Sequence, residues 1–215
     1  RLRLDVQDAD RRKTSEDLLS NMSDSSTCLA QIERAFDAGR YNIICSTGYH
    51  PPHLQGLWSG TWLAPWHGSF TTNGNLQCAI AFLLMGNTLE LMDAFFRLFV
   101  ARWKGIRKNA KNFFGMPGFH VPAQITMSPR ASNFNKRHPH YFWHAGAAWI
   151  LQFYYDYFQY TGDNEFLAKH AYPLMREAAS FYEAFLTVKD DNGKLVFVPS
   201  YSPENSPGTS NCPTA

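Results

Sequence analysis

Apolar residues return every three to four positions in three separate stretches of this chain. They are Leu29, Ile32 and Phe36; Leu91, Phe95, Leu98 and Phe99; and Leu174, Met175, Ala178, Phe181, Tyr182 and Phe185. That spacing lines one face of an α-helix, so each stretch predicts a helix that must bury its stripe against another. Ser26 is placed to start the first helix and Gly39 to stop it. A helical pattern also runs from Leu76 to about Met85, and Asn87 with Glu90 reads as a capping box ahead of the Leu91 helix. A long helix is expected from about Ala145 to Tyr160, ended by Thr161-Gly162-Asp163. Asp163 then caps a short helix with Phe166 and Leu167, and Pro173 suits the first turn of the last helix. Residues 1–25 suit an opening strand and a short helix from Thr14 to Leu19. Residues 188–198 read as a hairpin turning at Asp190-Asp191-Asn192-Gly193. The stretches 40–74 and 113–140 carry no helical period, and loops of that length inside a compact domain are usually functional. The expected class is mainly α, with long loops and a small β-hairpin. Helices paired in order suggest a toroid.

Composition narrows the function. Of 215 residues, 15% are aromatic and 18% charged, which excludes a disordered chain. The net charge of +2 is too small to argue for a nucleic-acid partner. Lys104, Arg107, Lys108 and Lys111 cluster, but a solvated helix end complementing the dipole accounts for them. No run of 18 apolar residues occurs, so no membrane span is expected. The start lacks the apolar run of a secretory leader. The chain begins without Met and stops in a polar stretch, so a piece of a longer protein is expected. Cys28, Cys45, Cys78 and Cys212 show no C-x-x-C spacing, and buried free thiols are expected. Asn21-Met22-Ser23 is a glycosylation sequon.

Three groups of residues could carry chemistry. Leu54-Gln55-Gly56-Leu57-Trp58, Pro65-Trp66-His67-Gly68 and Thr72-Asn73-Gly74-Asn75-Leu76-Gln77 combine flat aromatic faces with amides. Rings stack on the C–H faces of sugars, and amides both donate to and accept from hydroxyls. The bland alternative makes Asn75 a helix cap and the tryptophans core. Glu204, in Pro199-Ser200-Tyr201-Ser202-Pro203-Glu204-Asn205, follows a strand on a proline-stiffened loop. Buried among aromatics, such a carboxyl would hold its proton near neutral pH and could act as a general acid; otherwise it is a solvated loop carboxylate. The eight histidines include His50, His53, His138, His140 and His144. They lack a carboxylate or Cys partner at diagnostic spacing, so no metal and no cofactor are expected. Phosphate-loop, dinucleotide and esterase motifs do not occur.

In their order, these motifs resemble glycoside hydrolase family 95. The likeness begins with Gly39-Arg40-Tyr41, Leu54-Gln55-Gly56-Leu57-Trp58, Pro65-Trp66 and Thr72-Asn73-Gly74-Asn75-Leu76-Gln77. It continues through Gly146-Ala147-Ala148-Trp149, the 160–167 stretch and Tyr172-Pro173 to Pro199-Ser200-x-Ser202-Pro203-Glu204-Asn205, and covers about 36–205. The resemblance implies an (α/α)6 toroid of six helical hairpins, with 1–25 as a lead-in segment or linker and 26–215 as the N-terminal part of a truncated catalytic domain. It implies an inverting α-L-fucosidase or α-L-galactosidase that removes terminal α-linked L-sugars from oligosaccharides; separately, an extracellular location is expected. Glu204 matches the family's general acid, and Asn73 and Asn75 match the asparagines that hold the sugar and the attacking water. Trp58, Trp66, His67, Gln77 and His120 would help form the sugar site. The family's water-activating Asp lies much later in sequence, so the remainder of a longer polypeptide is an expected partner and the piece alone is expected to be inactive. The sequence departs from the family at Cys78-Ala79-Ile80-Ala81 and at Gly118-Phe119-His120-Val121-Pro122-Ala123, segments that shape the pocket. Two other readings stand beside this one. One is a non-catalytic carbohydrate-binding toroid. The other is a polysaccharide lyase of the same fold, with Tyr201 or His120 as base.

Overall fold

The computed structural model describes residues 2–6, 9–20, 28–56, 59–126, 128 and 140–203. A 3-10 turn, Ala9–Arg12, precedes helix α1, Ser15–Ser20; residues 2–6 are extended but unpaired, so no opening strand forms there. The lead-in is tied to helix α2, Leu29–Ser46: the buried Glu33 carboxylate accepts from Arg11, which also reaches Asp5 at 3.1 Å.

Helix α2 corrects two expectations. It does not stop at Gly39 but runs seven residues further, to Ser46. A glycine inside a helix costs about 1 kcal/mol, and tertiary contacts offset it: Ile43 packs on the main core and the Arg40 guanidinium donates to the Gly86 carbonyl. The face also differs, for Leu29 and Ile32 are exposed while Ala30 and Glu33 are buried. The aperiodic stretch therefore begins at Thr47.

Strand β1, Phe70–Thr71, leads into helices α3, Asn75–Ile80, and α4, Phe82–Met85. The expected capping box at Asn87 and Glu90 is not formed. Thr88 begins the 3-10 turn Leu89–Leu91, its buried hydroxyl donating to the Leu83 carbonyl at 2.9 Å. Helices α5, Met92–Val100, and α6, Trp103–Asn109, follow, and α6 runs on through the π-turn Ala110–Phe114. Strand β2, Gln124–Ile125, pairs antiparallel with β1, placing Phe70 opposite Ile125 and Thr71 opposite Gln124. Helix α7 is Gly146–Thr161, and Gly162 ends it. Asp163 caps α8, Asn164–Phe166, by accepting from the Phe166 N–H at 2.9 Å. A second π-turn, Leu167–Ala171, leads into α9, Tyr172–Phe185, with Pro173 in its first turn. Strands β3, Val188–Lys189, and β4, Leu195–Val196, form the predicted hairpin.

The core joins α4, α5, α6, α7 and α9. Its centre is aromatic. Phe95 meets Phe99 at 5.1 Å and Phe153 at 5.8 Å between ring centroids, Phe99 stacks on Trp103 at 5.4 Å, and Phe96 meets Tyr154 at 4.7 Å. A second cluster gathers Ala110, Phe181 and Phe185, with Phe114 and Phe197 against it. On the surface Arg107 of α6 donates from Nε and Nη2 to the two carboxylate oxygens of Glu177 of α9, at 2.5 and 2.7 Å. Cys28 and Cys45 are half-buried and Cys78 is exposed, all three as free thiols, so the buried thiols expected are not found among the described residues. Among those residues no helix is long and apolar enough to cross a membrane.

Candidate functional site

The turn bearing Asn73 and Asn75 is built from its backbone outward. Past β1, the Thr72 N–H donates to the Ala123 carbonyl at 2.8 Å and its hydroxyl to the Pro122 carbonyl. Gly74 then takes φ 140°, a conformation L side chains rarely adopt, and α3 starts at Asn75. Asn75 is exposed at this helix start. Asn73 is half-buried, and its Oδ1 is sealed from solvent without a hydrogen-bond partner. The Trp149 ring of α7 lies beside Gly74.

Gln77 departs from its expected role as a sugar contact. It is buried, its Nε2 donates to the Thr72 carbonyl, and its Oε1 accepts from the Gly74 N–H at 3.2 Å. Both ends of the amide are used to hold the asparagine turn. Gln77→Leu keeps the volume but leaves a buried carbonyl and N–H unpaired, at about 1–3 kcal/mol for each group. The expected result is a lower melting temperature together with reduced turnover; an unchanged melting temperature would remove Gln77 from this role.

Trp58 lies outside the described residues. Trp66 and His67 stand on the 3-10 turn Pro65–Gly68, both at positive φ, 53° and 57°. Two adjacent non-glycine residues in that region cost about 1–3 kcal/mol each. Trp66 is 59% exposed, and Trp62 is fully exposed. Neither ring packs into the core.

His120 is the second correction. At 1% exposure it faces no substrate. Its Nε2 donates to the Trp143 carbonyl at 2.9 Å, and its ring packs against Phe114, His144 and Phe181. Burial and the neighbouring His144 hold its pKa down to about 3, and burial holds His144 down to about 4. Sealed in this way, His120 is no base for a lyase. The pair has a consequence for stability. Both rings are neutral when folded, whereas in the unfolded chain they take up protons below about pH 6.5. Their contribution is full above that pH and is lost as pH falls through about 4 and about 3. The slope should approach about 1.4 kcal/mol per pH unit for each histidine. Urea midpoints measured from pH 7 to 4 check this, and His144→Gln should remove about one proton from the slope.

Glu204 also lies outside the described residues, but the loop leading to it does not. Tyr201 N–H donates to the Phe142 carbonyl at 3.3 Å, and His144 Nε2 donates to the Pro199 carbonyl at 2.8 Å. Ser200 and Tyr201 are buried and, with Trp143, His144, Phe197 and Ser202, line a cavity of about 310 Å³. Tyr182 of α9 braces this region from behind, donating to the His144 carbonyl at 2.6 Å.

These ties form one path. The asparagine turn is bonded to residues 122–123, His120 to Trp143, and His144 to Pro199, so all of them meet at the start of α7. Gly146 makes the approach possible, since a Cβ there would stand 2.5 Å from the Val121 carbonyl oxygen. Sequence reasoning did not single out Trp143, His144 or Trp149 for the site. Trp149 lay inside a quoted motif, but nothing in its spacing separated it from core. Among the described residues no cluster of His, Cys, Asp or Glu could hold a metal ion.

Comparison with known proteins points one way. The family model described as "Glycosyl hydrolase family 95 catalytic domain" matches residues 1–214. Alpha-L-fucosidase 2 of Arabidopsis thaliana is 31% identical over 194 residues, covering 89% of this chain and 23% of that protein. Probable alpha-fucosidase A of Aspergillus niger is 29% identical over 193 residues, covering 80% of this chain and 22% of that protein. The chain thus spans under a quarter of the length of these curated relatives.

Proposed function

From the premise that the chain belongs to the glycosyl hydrolase family 95 catalytic domain, we propose that the protein hydrolyses terminal α-linked L-sugars of oligosaccharides with inversion, L-fucose first and L-galactose as the alternative. The observation that carries the reading is the path of hydrogen bonds and chain joining the Asn73–Asn75 turn to residues 199–203, which Glu204 directly follows in sequence.

Glu204 protonates the glycosidic oxygen as the bond breaks. Water held by Asn73 and Asn75 attacks the anomeric carbon from the opposite face. An amide oxygen accepts a hydrogen bond but is too weak a base to take the proton. The asparagines therefore orient the water, and an Asp later in the polypeptide receives its proton. Inverting glycosidases keep the two carboxyl groups about 6.5–9.5 Å apart so that this water fits. The exposed faces of Trp62 and Trp66 suit stacking on the sugar chain beyond the cleaved residue. The domain is read as an (α/α)6 toroid to which residues 26–215 contribute the N-terminal part after a lead-in of 1–25. The protein is read as extracellular, and the 215-residue piece as inactive by itself.

Cys78-Ala79-Ile80-Ala81 and 118–123, the segments that depart from the family, leave the sugar itself open to test. The full-length protein should be assayed on aryl α-L-fucosides, aryl α-L-galactosides and natural oligosaccharides, with the first-formed anomer followed by NMR. A β-anomer from one of the two sugars is expected. No hydrolysis of either sugar, or a first-formed α-anomer, would overturn the proposal.

A further inference from the structure

We infer that His144 is a positioning residue for the general acid: its Nε2–H holds the Pro199 carbonyl and so fixes the loop 199–203 from which Glu204 extends. The inference rests on the reading of Glu204 given above. The bond is 2.8 Å long and joins residues 55 apart in sequence. A carbonyl can only accept, so Nε2 must carry the hydrogen and the ring is the neutral Nε2–H tautomer. The depressed pKa agrees, because a ring held to about 4 is uncharged at neutral pH. Its other nitrogen, Nδ1, is buried without a partner.

The ring itself is clamped. Phe185 lies 4.1 Å away between centroids, Phe197 stacks nearly parallel at 6.1 Å, and Phe114 meets it edge-on at 5.2 Å. Its backbone is held as well, since the His144 carbonyl accepts from Tyr182, whose oxygen also accepts from the Ala148 N–H at 3.2 Å. A rigid donor is what loop placement needs, because displacing a reacting group by about 1 Å can cost about a hundredfold in rate. The Tyr201 N–H to Phe142 carbonyl bond of the same loop is longer, at 3.3 Å. Removing the donor takes away the shorter of these two bonds.

Leaving-group dependence tests this in the full-length enzyme. An alkyl glycoside of the sugar identified by the panel needs a proton from the acid to leave, whereas a dinitrophenyl glycoside leaves as a stable phenolate without one. His144→Met, which keeps bulk but has no donor, should lower kcat on the alkyl glycoside by about ten- to a hundredfold and on the dinitrophenyl glycoside by less than about threefold. His144→Gln, which keeps a donor at similar reach, should restore most of the alkyl rate. Phe185→Leu loosens the same ring but keeps its donor, and should lower the alkyl rate by less than His144→Met does. Should His144→Met fail to accumulate, His144→Asn, too short to reach the carbonyl, gives the same readout. Equal losses on both substrates would mean a merely structural histidine and would overturn the inference. Glu204→Gln measured alongside separates the two readings. If it shows the leaving-group signature while the His144 variants do not, only the positioning role fails. If Glu204→Gln leaves both rates intact, the general-acid assignment fails and this inference fails with it.

Discussion

Replacing Glu204 by Gln in the full-length protein should cut turnover of an oligosaccharide by about a hundredfold or more, the contribution of a positioned general acid. The change is nearly isosteric, so substrate binding and stability should move little, and the loss should fall on kcat rather than KM. A glycosidic oxygen expelled as an alkoxide is a poor leaving group, and protonation during bond breaking is what makes it leave. The amide has no proton to give. The residue is also well sited in sequence, because it is joined to a loop that the structure bonds at both Pro199 and Tyr201 to the start of α7. Undiminished kcat on the natural substrate would take Glu204 out of the mechanism and return the exposed tryptophans to a purely binding role.

The second large effect is on folding. Phe95→Ala should destabilise the protein by about 3–5 kcal/mol, the range for deleting a buried aromatic ring. Phe95 is fully buried and touches Phe96, Phe99, Phe153 and Tyr154, so its removal opens a void where α5 meets α7. The flanking rings sit on helices held elsewhere and cannot all move in to fill it. Phe95→Leu, which keeps more of the volume, should cost less, within about 1.5 kcal/mol. Urea denaturation distinguishes the two: the midpoint should fall with the slope unchanged. A shift below about 1 kcal/mol for the alanine variant would mean that this cluster is not the centre of the core.

Much of the helical framework was legible because its signals are local. Gly162 and Asp163 mark the end of α7 and the start of α8 within a few residues of the chain they act on, and Pro173 does the same for α9. The stripe Leu174, Ala178, Phe181 and Phe185 has the period of a buried face, and these four are buried. The hairpin turn at 190–193 is likewise a matter of adjacent residues. Gly39 misled for the complementary reason. Its cost to a helix is local, but the contacts that outweigh it, from Ile43 and from Arg40 to Gly86, come from another part of the chain.

The candidate site divides along the same line. Residue types alone marked the Asn-Gly-Asn-Leu-Gln turn and the Pro-Glu-Asn loop as places where sugar chemistry could occur, because amides and carboxyls carry their hydrogen-bonding capacity wherever they stand. Which partners they meet is a different matter. Gln77 was as able to bind a hydroxyl as Asn73, and the fold spends both its ends on Thr72 and Gly74. His120 was as able to face a pocket as His67, and segments 23 and 61 residues away enclose it. His144 stood out only as one of several histidines weighed for a metal, since its partner Pro199 is brought to it only when α7, α9 and the hairpin pack. Helix limits and chemical capacity were written in neighbouring residues; the choice between a side chain that serves the backbone and one that serves a ligand was made by how the turn folds around Gln77 and, for His120 and His144, by contacts 23 to 61 positions away, which no local pattern encodes.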